Sequence, residues 1–136
     1  MARPPLPNSH WIEPGRLLAG EHPAGSSGQA TRRRLARLLD AGVDCFIDLT
    51  QPAEFESYEA ELAKAARGRE ALYLRHPIPD HGVPESEAAM REILAVLDRA
   101  LAEGRSVYLH CHAGIGRTNL VAGCWIAGQG GGQAAL

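Results

Sequence analysis

The stretch HCHAGIGRT, residues 110–118, is the most informative part of the sequence, because it links a strand-like run to a helix-like run. The preceding run, 107–109, is apolar, and residues 120–127 have a helix-like composition. A cysteine, five residues and an arginine in this setting predict a cradle for a phosphate-sized dianion. The loop N–H groups can converge on one centre, and the following helix adds its positive N-terminal end. A thiolate at the floor of that cradle could attack phosphorus.

The residues of this stretch suit that chemistry. Cys111 is the predicted nucleophile, because the loop N–H groups, the helix N-terminus and Arg117 all favour its thiolate. Arg117 offers a planar fork that can hold two phosphate oxygens at once. Thr118 could hydrogen-bond the sulfur as it leaves, or it could satisfy the helix start, and the two roles can coexist. The predicted phosphate-binding residues are His112, Ala113, Gly114, Ile115, Gly116 and Arg117.

The other side chains of the loop have supporting roles in this interpretation. Gly114 and Gly116 lie where a tight anion loop needs residues without Cβ clashes. His110 can help to set the loop by hydrogen bonding, and the outward side chain of His112 could tune substrate choice. His110, Cys111 and His112 are too close in sequence to form a normal zinc site, so we expect no metal.

The sequence resembles the cysteine-dependent protein phosphatases, and most of all their small, atypical dual-specificity branch. The signature HCHAGIGRT is the most specific part of a resemblance that spans residues 8–127. Residues 11–20, WIEPGRLLAG, resemble the opening segment of small members of that branch. Asn119 departs from the pattern, since the family usually has glycine after the Arg-Thr pair. The resemblance implies hydrolysis of phosphotyrosine through a phosphocysteine intermediate and without a cofactor. Phosphoserine and phosphothreonine are further candidate substrates, and the preference among the three stays open.

A general acid is expected in the segment IPDHGVP, residues 78–84, which resembles the general-acid loop of this family. Asp80 would protonate the leaving oxygen and then take a proton from the hydrolytic water. Neighbouring proline and glycine put Asp80 on a turn-rich loop that could swing over the site. Asp48, at a strand end, and His81 are alternative acids, and a turn-forming aspartate is the ordinary structural interpretation of Asp80.

The composition indicates one domain, because the 136 residues are 45% hydrophobic and can build a core. The formal charge of −2 argues against a general nucleic-acid or anionic-membrane binder, and no apolar run approaches the length that spans a bilayer. Three cysteines give no disulfide framework, so a reducing cytoplasm is the expected compartment. We expect a single domain over residues 1–127, with residues 1–8 as a flexible lead. The expected partner is a phosphorylated protein or another phosphomonoester, and the oligomeric state stays open.

Strands alternate with helices along the chain, which predicts an α/β fold. Its sheet would be mostly parallel and covered by helices on both faces, the three layers of a phosphatase-like fold, with ligands at the carboxyl ends of the strands. The predicted strands are 17–19, 43–49, 71–75 and 106–110, and the predicted helices run from Ser26 or Ser27 to 41, over 53–67 and over 85–102. Two sets of charged residues are interpreted as solvated helix faces, with steering of anionic substrates as the alternative for the first: Arg32, Arg33, Arg34 and Arg37, and Glu54, Glu56, Glu59 and Glu61.

The C-terminus is where the sequence departs most from that family, whose members continue with further helices that pack on the sheet. Residues 128–136, GQGGGQAAL, have a high entropy cost of ordering and little to bury, so they are predicted to be a disordered tail. The domain would then be shortened at its C-terminus and would expose apolar residues such as Val121, Trp125 or Ile126. Such a patch would favour self-association or low stability.

Two other functions stay open at this point. A rhodanese-like sulfurtransferase also places a cysteine in an anion-cradling loop, although the general-acid loop and the Arg-Thr pair speak against it. A non-catalytic phosphate-binding module would result if the shortened end had disabled catalysis.

Overall fold

The structure is a computed structural model that describes residues 4–78, 87–112 and 116–128. Strands and helices alternate over most of this length. The elements, in chain order, are β1 (Ser9–Glu13), β2 (Leu17–Gly20), α1 (Gly28–Asp40), β3 (Cys45–Asp48), α2 (Glu59–Ala66), β4 (Leu72–Arg75), α3 (Glu87–Ala102), β5 (Val107–His110) and α4 (Gly116–Gly128).

The strands form one sheet in the order β1-β2-β5-β3-β4. The pairs β2–β5, β5–β3 and β3–β4 are parallel, and β1 is antiparallel to β2. This confirms the predicted α/β class with a mostly parallel sheet. The sequence pattern does not predict β1, because this edge strand is only half-buried and its pairing is interrupted by a bulge between Trp11 and Glu13. β5 lies in the middle of the sheet, so the residue that follows it emerges at the centre of the carboxyl edge.

Helices cover both faces of the sheet, as predicted. The buried side chains of α1 and α2 share one cluster with Phe46 and Tyr108 of the sheet. Those of α3 and α4 share a second cluster with Val107, Leu109 and Cys111. Successive side chains of a strand point to opposite faces, so β5 and the cysteine after it contribute alternately to the two layers.

The first and third predicted helices are present close to their expected positions. The side-chain oxygen of Ser27 accepts the N–H of Ala30 at 3.1 Å and begins α1. Gly42, with a φ of +102°, lies just after its end, where a left-handed residue stops a helix. α3 begins at Glu87, and residues 85–86 of the predicted helix lie outside the described residues.

The second helix is much shorter than predicted, because α2 spans Glu59–Ala66 instead of 53–67. The segment between β3 and α2 is held by Arg75 of β4, which donates to the carbonyls of Gln51 and Phe55 at 3.3 and 2.5 Å. The Gln51 carbonyl also accepts the N–H groups of Glu54 and Phe55, at 2.9 and 3.4 Å, in a single turn. The Phe55 carbonyl is bonded to the Arg75 side chain, and the turn does not continue into α2. Tyr58, just before α2, is drawn into the core and is 4% exposed.

The N-terminal lead is anchored earlier than predicted. Leu6 is 1% exposed and belongs to the cluster under α1 and α2. Its N–H donates to the Ser9 hydroxyl, which in turn donates to the Leu6 carbonyl at 2.7 Å. A flexible lead through residue 8 is therefore wrong at Leu6, because that side chain has a place in the core.

The end of the described chain also differs from expectation. Val121 and Trp125 are buried, because α4 packs against α3 and the Trp125 indole donates to Asp98 at 3.0 Å. Their expected exposure is wrong, whereas Ile126 is 49% exposed, as expected. Residues 129–136, most of the predicted tail, lie outside the described residues. Of the helices that the structure describes, none combines the length and apolarity needed to cross a bilayer.

Candidate active site

The signature stretch lies at the carboxyl end of the central strand. Cys111 directly follows β5 and is 2% exposed. Arg117 and Thr118 occupy the first turn of α4 and are buried as well, while Gly116, which begins the helix, is exposed. The helix N-terminus therefore follows the cysteine at the sheet edge where parallel α/β folds bind ligands. Three predicted phosphate-binding residues lie outside the described residues: Ala113, Gly114 and Ile115.

The guanidinium of Arg117 is held by a carboxylate. Its Nη1 donates to Glu54 Oε1 at 2.6 Å and its Nη2 donates to Glu54 Oε2 at 2.8 Å, so the ion pair is bidentate. Nη1 also donates to the carbonyl of Ile78 at 3.1 Å. Hydrogen bonding from Arg117 lowers the pKa of Glu54, which keeps this carboxylate ionised. Glu54 therefore orients the Arg117 guanidinium, which is predicted to bind phosphate oxygens.

The prediction that Glu54 lies on a solvated helix is wrong. The residue lies on a turn at 52–54, its side chain is only 18% exposed, and its Oε1 accepts the N–H of Gln51 at 2.9 Å. Its partner Arg117 is 63 positions away in the chain. No local pattern marks such a contact, so only the folded chain reveals it.

His110 is fully buried on the face of β5 opposite to Cys111. Its Nε2 lies 2.6 Å from the hydroxyl of Tyr58. Burial lowers the pKa of His110 to about 3, against the opposing effect of Asp48, and burial raises the pKa of Tyr58 well above its ordinary value. Both groups are therefore neutral near pH 7, and the Tyr58 hydroxyl can donate to the imidazole. Tyr58, in the segment before α2, is therefore the hydrogen-bond partner that holds His110 in place.

The alternative acid Asp48 belongs to the same buried network. Its Oδ1 accepts the N–H and hydroxyl of Thr50 at 2.9 and 2.6 Å, and its Oδ2 accepts the hydroxyl of Tyr73 at 2.7 Å. Burial alone would raise the pKa of Asp48, but His110 and these hydrogen bonds outweigh it and lower the pKa. A carboxylate that is ionised and fully bonded is poorly suited to protonate a leaving group.

The other two candidate acids, Asp80 and His81, lie outside the described residues. The described chain before them ends at Ile78, which is buried and whose carbonyl accepts from Arg117. The segment that carries Asp80 thus begins beside the arginine of the cradle. Its role as general acid stays a prediction.

Thr118 is fully buried, and its hydroxyl has no hydrogen-bond partner among the residues that the structure describes. A buried hydroxyl without a partner is uncommon in folded proteins. The helix-start role is therefore not seen in the described part of the chain, and hydrogen bonding to the sulfur of Cys111 stays a prediction.

Two residues outside the signature support its beginning, and neither was predicted from the sequence. The backbone N–H of His22 donates to the carbonyl of His112 at 3.1 Å. The imidazole of His22 stacks on the ring of Phe55, with the ring centroids 4.0 Å apart. Phe55 also meets the exposed His112 ring edge-on at 5.0 Å. His22 Nδ1 accepts the N–H of Ala24, and burial lowers the pKa of this imidazole to about 4. Neither residue stands in a recognisable motif, because their contacts depend on the fold.

One buried group could be considered as a metal site, since His22, Asp48 and His110 offer ligand atoms within 4.8 Å of one another. Part of this group is already engaged, because Asp48 accepts three hydrogen bonds and His110 Nε2 pairs with Tyr58. His22 Nε2 and His110 Nδ1 have no hydrogen-bond partner among the residues that the structure describes. The cationic Arg75 also lies 3.8 Å from Asp48. These contacts indicate a hydrogen-bonded network rather than a metal centre.

Comparison with known proteins agrees with this geometry. The family model described as "Polymorphic toxin system, DSP-PTPase phosphatase" matches residues 20–131. The protein named "Putative tyrosine phosphatase 067L" of Invertebrate iridescent virus 3 is 32% identical over 105 residues, which are 74% of this chain and 40% of the viral protein. The chain spans less than half of the length of the curated relatives that it matches.

Solved structures share the same fold. Tk-PTP in its active form has a TM-score of 0.74 and 27% identity, and the match covers 92% of this chain and 76% of that chain. TpbA of P. aeruginosa in complex with phosphotyrosine has a TM-score of 0.71 and 22% identity, over 96% of this chain and 69% of that chain, and shows the fold alone. Because the family model covers most of the domain, including the signature stretch, the chain belongs to the DSP-PTPase phosphatase family of polymorphic toxin systems, among the small atypical dual-specificity phosphatases.

Proposed function

We propose that this chain is a protein phosphatase that hydrolyses phosphotyrosine, and also phosphoserine and phosphothreonine, through a phosphocysteine intermediate. The observation that carries the proposal is the placement of Cys111 and Arg117. A buried cysteine ends the central parallel strand, and a buried arginine oriented by a carboxylate stands in the first turn of the next helix. Family membership supports the same class of reaction.

In the first step the Cys111 thiolate attacks phosphorus, so that an S–P bond forms and the P–O bond to the substrate breaks. Arg117 and the N-terminus of α4 stabilise the negative charge on the phosphoryl oxygens. Asp80 gives its proton to the leaving oxygen, which departs as an alcohol or phenol. None of these charges needs a metal ion for its stabilisation.

In the second step water attacks the phosphocysteine, and Asp80, now a carboxylate, accepts a proton from that water. The S–P bond breaks, inorganic phosphate forms, and the electron pair returns to sulfur as a thiolate. The buried hydroxyl of Thr118 is the proposed donor to this sulfur. His110 acts from the opposite face of β5 by keeping the start of the loop in place.

The proposed compartment is a reducing cytoplasm, because the mechanism requires a free thiol, and Cys45, Cys111 and Cys124 are unpaired. The family description adds a second setting, a polymorphic toxin system. A toxic role for this chain would depend on the same active site. Expression that arrests growth with wild type but not with Cys111→Ser would support that role, and equal toxicity of the two would exclude it.

Turnover of para-nitrophenyl phosphate and of phosphotyrosine, phosphoserine and phosphothreonine peptides tests the proposal. Wild type should release phosphate, orthovanadate should inhibit it, and EDTA should have no effect. Cys111→Ser should abolish turnover while the cradle still binds phosphate. Cys124→Ser is the matched control, because this half-buried cysteine lies in α4 outside the site and should leave the rate unchanged.

The same experiment separates the two alternative functions. Sulfur transfer from thiosulfate to cyanide, without phosphatase activity, would identify a sulfurtransferase. If the chain binds phosphate but shows no turnover in the presence of a reducing agent, it is a non-catalytic phosphate-binding module. Full activity of Cys111→Ser, or complete loss of activity with EDTA, would contradict the mechanism.

A further inference from the structure

A groove of about 560 Å³ lies between α1 and α2, and none of the described residues of the signature stretch lines it. Two alanines, Ala36 of α1 and Ala65 of α2, line the space between the helices, and their small side chains leave it open. Four of the other lining side chains are cationic: Arg32, Arg33, Lys64 and Arg67. The remaining two are Gln29 and one carboxylate, Asp40, which pairs with Arg69 at 3.2 Å. We call this feature the basic groove.

The positive charge of the basic groove is only partly neutralised by the protein. Glu61 holds both Arg32 and Lys64, at 3.0 and 3.4 Å. Arg33 and Arg67 are exposed and form no ion pair with any residue in the described part of the chain. The groove therefore keeps excess positive charge on a chain whose formal net charge is −2. Such a concentration of one sign attracts an anionic partner.

Arg67 occupies a position that favours glycine. It ends α2 with a φ of +52°, in the left-handed region that disfavours residues with a Cβ. Helices that end in this conformation usually place glycine there, and in this chain a glycine follows one position later, at residue 68. Strained backbone of this kind is often associated with function. The feature that arginine supplies and glycine lacks is a cation at the rim of the groove.

The basic groove extends along the two helices. α1 and α2 run side by side in the same direction, because Arg32 meets Glu61 near their starts and Asp40 meets Arg69 near their ends. Both helices follow parallel strands, so their starts lie at the carboxyl edge of the sheet, as the signature loop does. From residue 29 to Asp40, α1 rises about 16 Å, the reach of about five extended residues.

The shape and the lining favour a polypeptide among anionic ligands. A single phosphate could not engage cations that are spread over this length. No aromatic side chain is among the described lining residues, whereas single-stranded nucleic acids are usually held by stacking on aromatic rings. An extended peptide rich in carboxylates matches both the length and the charge.

We infer that the basic groove binds an acidic segment of the phosphoprotein substrate, which runs along α1 and α2 while the phosphorylated residue lies at Cys111. That the bound segment belongs to a substrate rests on the proposed function, but the affinity of the groove for an acidic peptide does not depend on turnover. The inference therefore has a binding test of its own.

The first test measures binding of a fluorescent, unphosphorylated peptide of about five glutamates by anisotropy at low salt. Wild type should bind it about tenfold more tightly than the matched glutamine peptide, and added salt should remove the difference. Arg33→Glu combined with Arg67→Glu should abolish the preference. Arg67→Gly should weaken binding without loss of folding, because glycine suits the backbone there.

The second test uses a phosphotyrosine joined through a series of flexible linkers to the glutamate or glutamine segment. The ratio of kcat/KM for the two peptides should be about ten in wild type, at the linker that spans the distance, and close to one in the Arg33/Arg67 double variant. Arg37→Glu combined with Arg99→Glu is the control, since it makes the same change of charge at exposed arginines outside the groove. This control should keep the wild-type ratio.

Each outcome decides between the two proposals. Equal binding of the acidic and neutral peptides, or a preference that survives the Arg33/Arg67 double variant, would overturn the basic-groove inference even if the enzyme is fully active. An oligonucleotide that binds the same arginines as tightly as the peptide would also overturn it, in favour of a nucleic-acid site. Acidic-peptide binding by a chain without phosphatase activity would support the groove and contradict the proposed function.

Discussion

On one face of β5, Val107 and Leu109 pack into the apolar cluster shared with α3 and α4, and Cys111 follows on the same side. On the other face, His110 pairs with the hydroxyl of Tyr58 and lies beside the fully bonded carboxylate of Asp48. The two faces belong to one four-residue strand and are equally buried. They differ in what their neighbours must provide.

The apolar face needs only volume, and many combinations of aliphatic residues can supply it. The polar face needs specific partners, because each buried polar group that loses its partner retains the full cost of desolvation. Its partners come from three segments of the chain, around His22, Tyr58 and Tyr73. The nucleophile thus lies over a layer that tolerates change, while the position of its loop depends on a network that does not.

The largest predicted effect separates Asp80 from Asp48 of the polar face. Asp80→Ala should slow hydrolysis of esters with poor leaving groups by about 10²–10⁴-fold, and much less for para-nitrophenol, which leaves without a proton. Asp48→Asn should lower stability and reduce all rates to a similar extent, since its carboxylate is committed to hydrogen bonds. Rates measured over a series of leaving groups test this. If the loss of rate depended on the leaving group in Asp48→Asn and not in Asp80→Ala, the general acid would be Asp48.

The next effect concerns the arginine that links the cradle to Glu54. Arg117→Lys should lower kcat/KM by about 10²–10³-fold, because lysine keeps the charge but loses the two-pronged geometry. Glu54→Gln, which keeps the shape of the partner, should cost less. Steady-state kinetics with para-nitrophenyl phosphate give both values. A loss below about tenfold for Arg117→Lys would show that charge alone is sufficient.

A pair of stability variants compares the two faces directly. Leu109→Ala should lower the free energy of unfolding by about 2–5 kcal/mol, through lost burial and the cavity that remains. Tyr58→Phe should lower it by about 1–2 kcal/mol, because His110 loses its buried partner while the ring stays. Urea unfolding of both variants provides the measurement. A larger loss for Tyr58→Phe would indicate that the polar network, rather than the apolar cluster, dominates stability around β5.

The smallest effect is a pH dependence of stability that comes from the two buried histidines of the polar face. Burial lowers the pKa of His22 from 6.5 to about 4 and that of His110 to about 3 in the folded protein. Below pH 6.5 the unfolded chain binds protons that the folded chain does not, so stability is fully present above 6.5 and falls as the pH approaches 4. His22→Asn should reduce this slope, since asparagine can still accept the N–H of Ala24. Urea unfolding between pH 7.5 and 4.5 tests this, with His10→Asn as an exposed control, and an unchanged slope in His22→Asn would contradict it.

Several parts of the molecule could be predicted because their causes are local. Ser27 caps the start of α1 and Gly42 lies just after its end. The apolar run before Cys111 forms the central strand. The start of α2 could not be predicted, because the side chain of Arg75 holds the carbonyls of the preceding segment. β1 was missed for a related reason, since a half-buried edge strand lacks a clear alternation of apolar and polar residues.

The α/β class, the parallel sheet and the cysteine–arginine pair at its carboxyl edge could all be derived from the amino-acid sequence. These follow from periodicity and from residues that are close together in the chain. Three features emerge only in the folded chain: Glu54 orients Arg117, Tyr58 pairs with His110, and two parallel helices form a basic groove. The physical reason is that hydrogen bonds and ion pairs act over a few ångströms, while the residues that form them are separated by 52 to 63 positions in the first two cases.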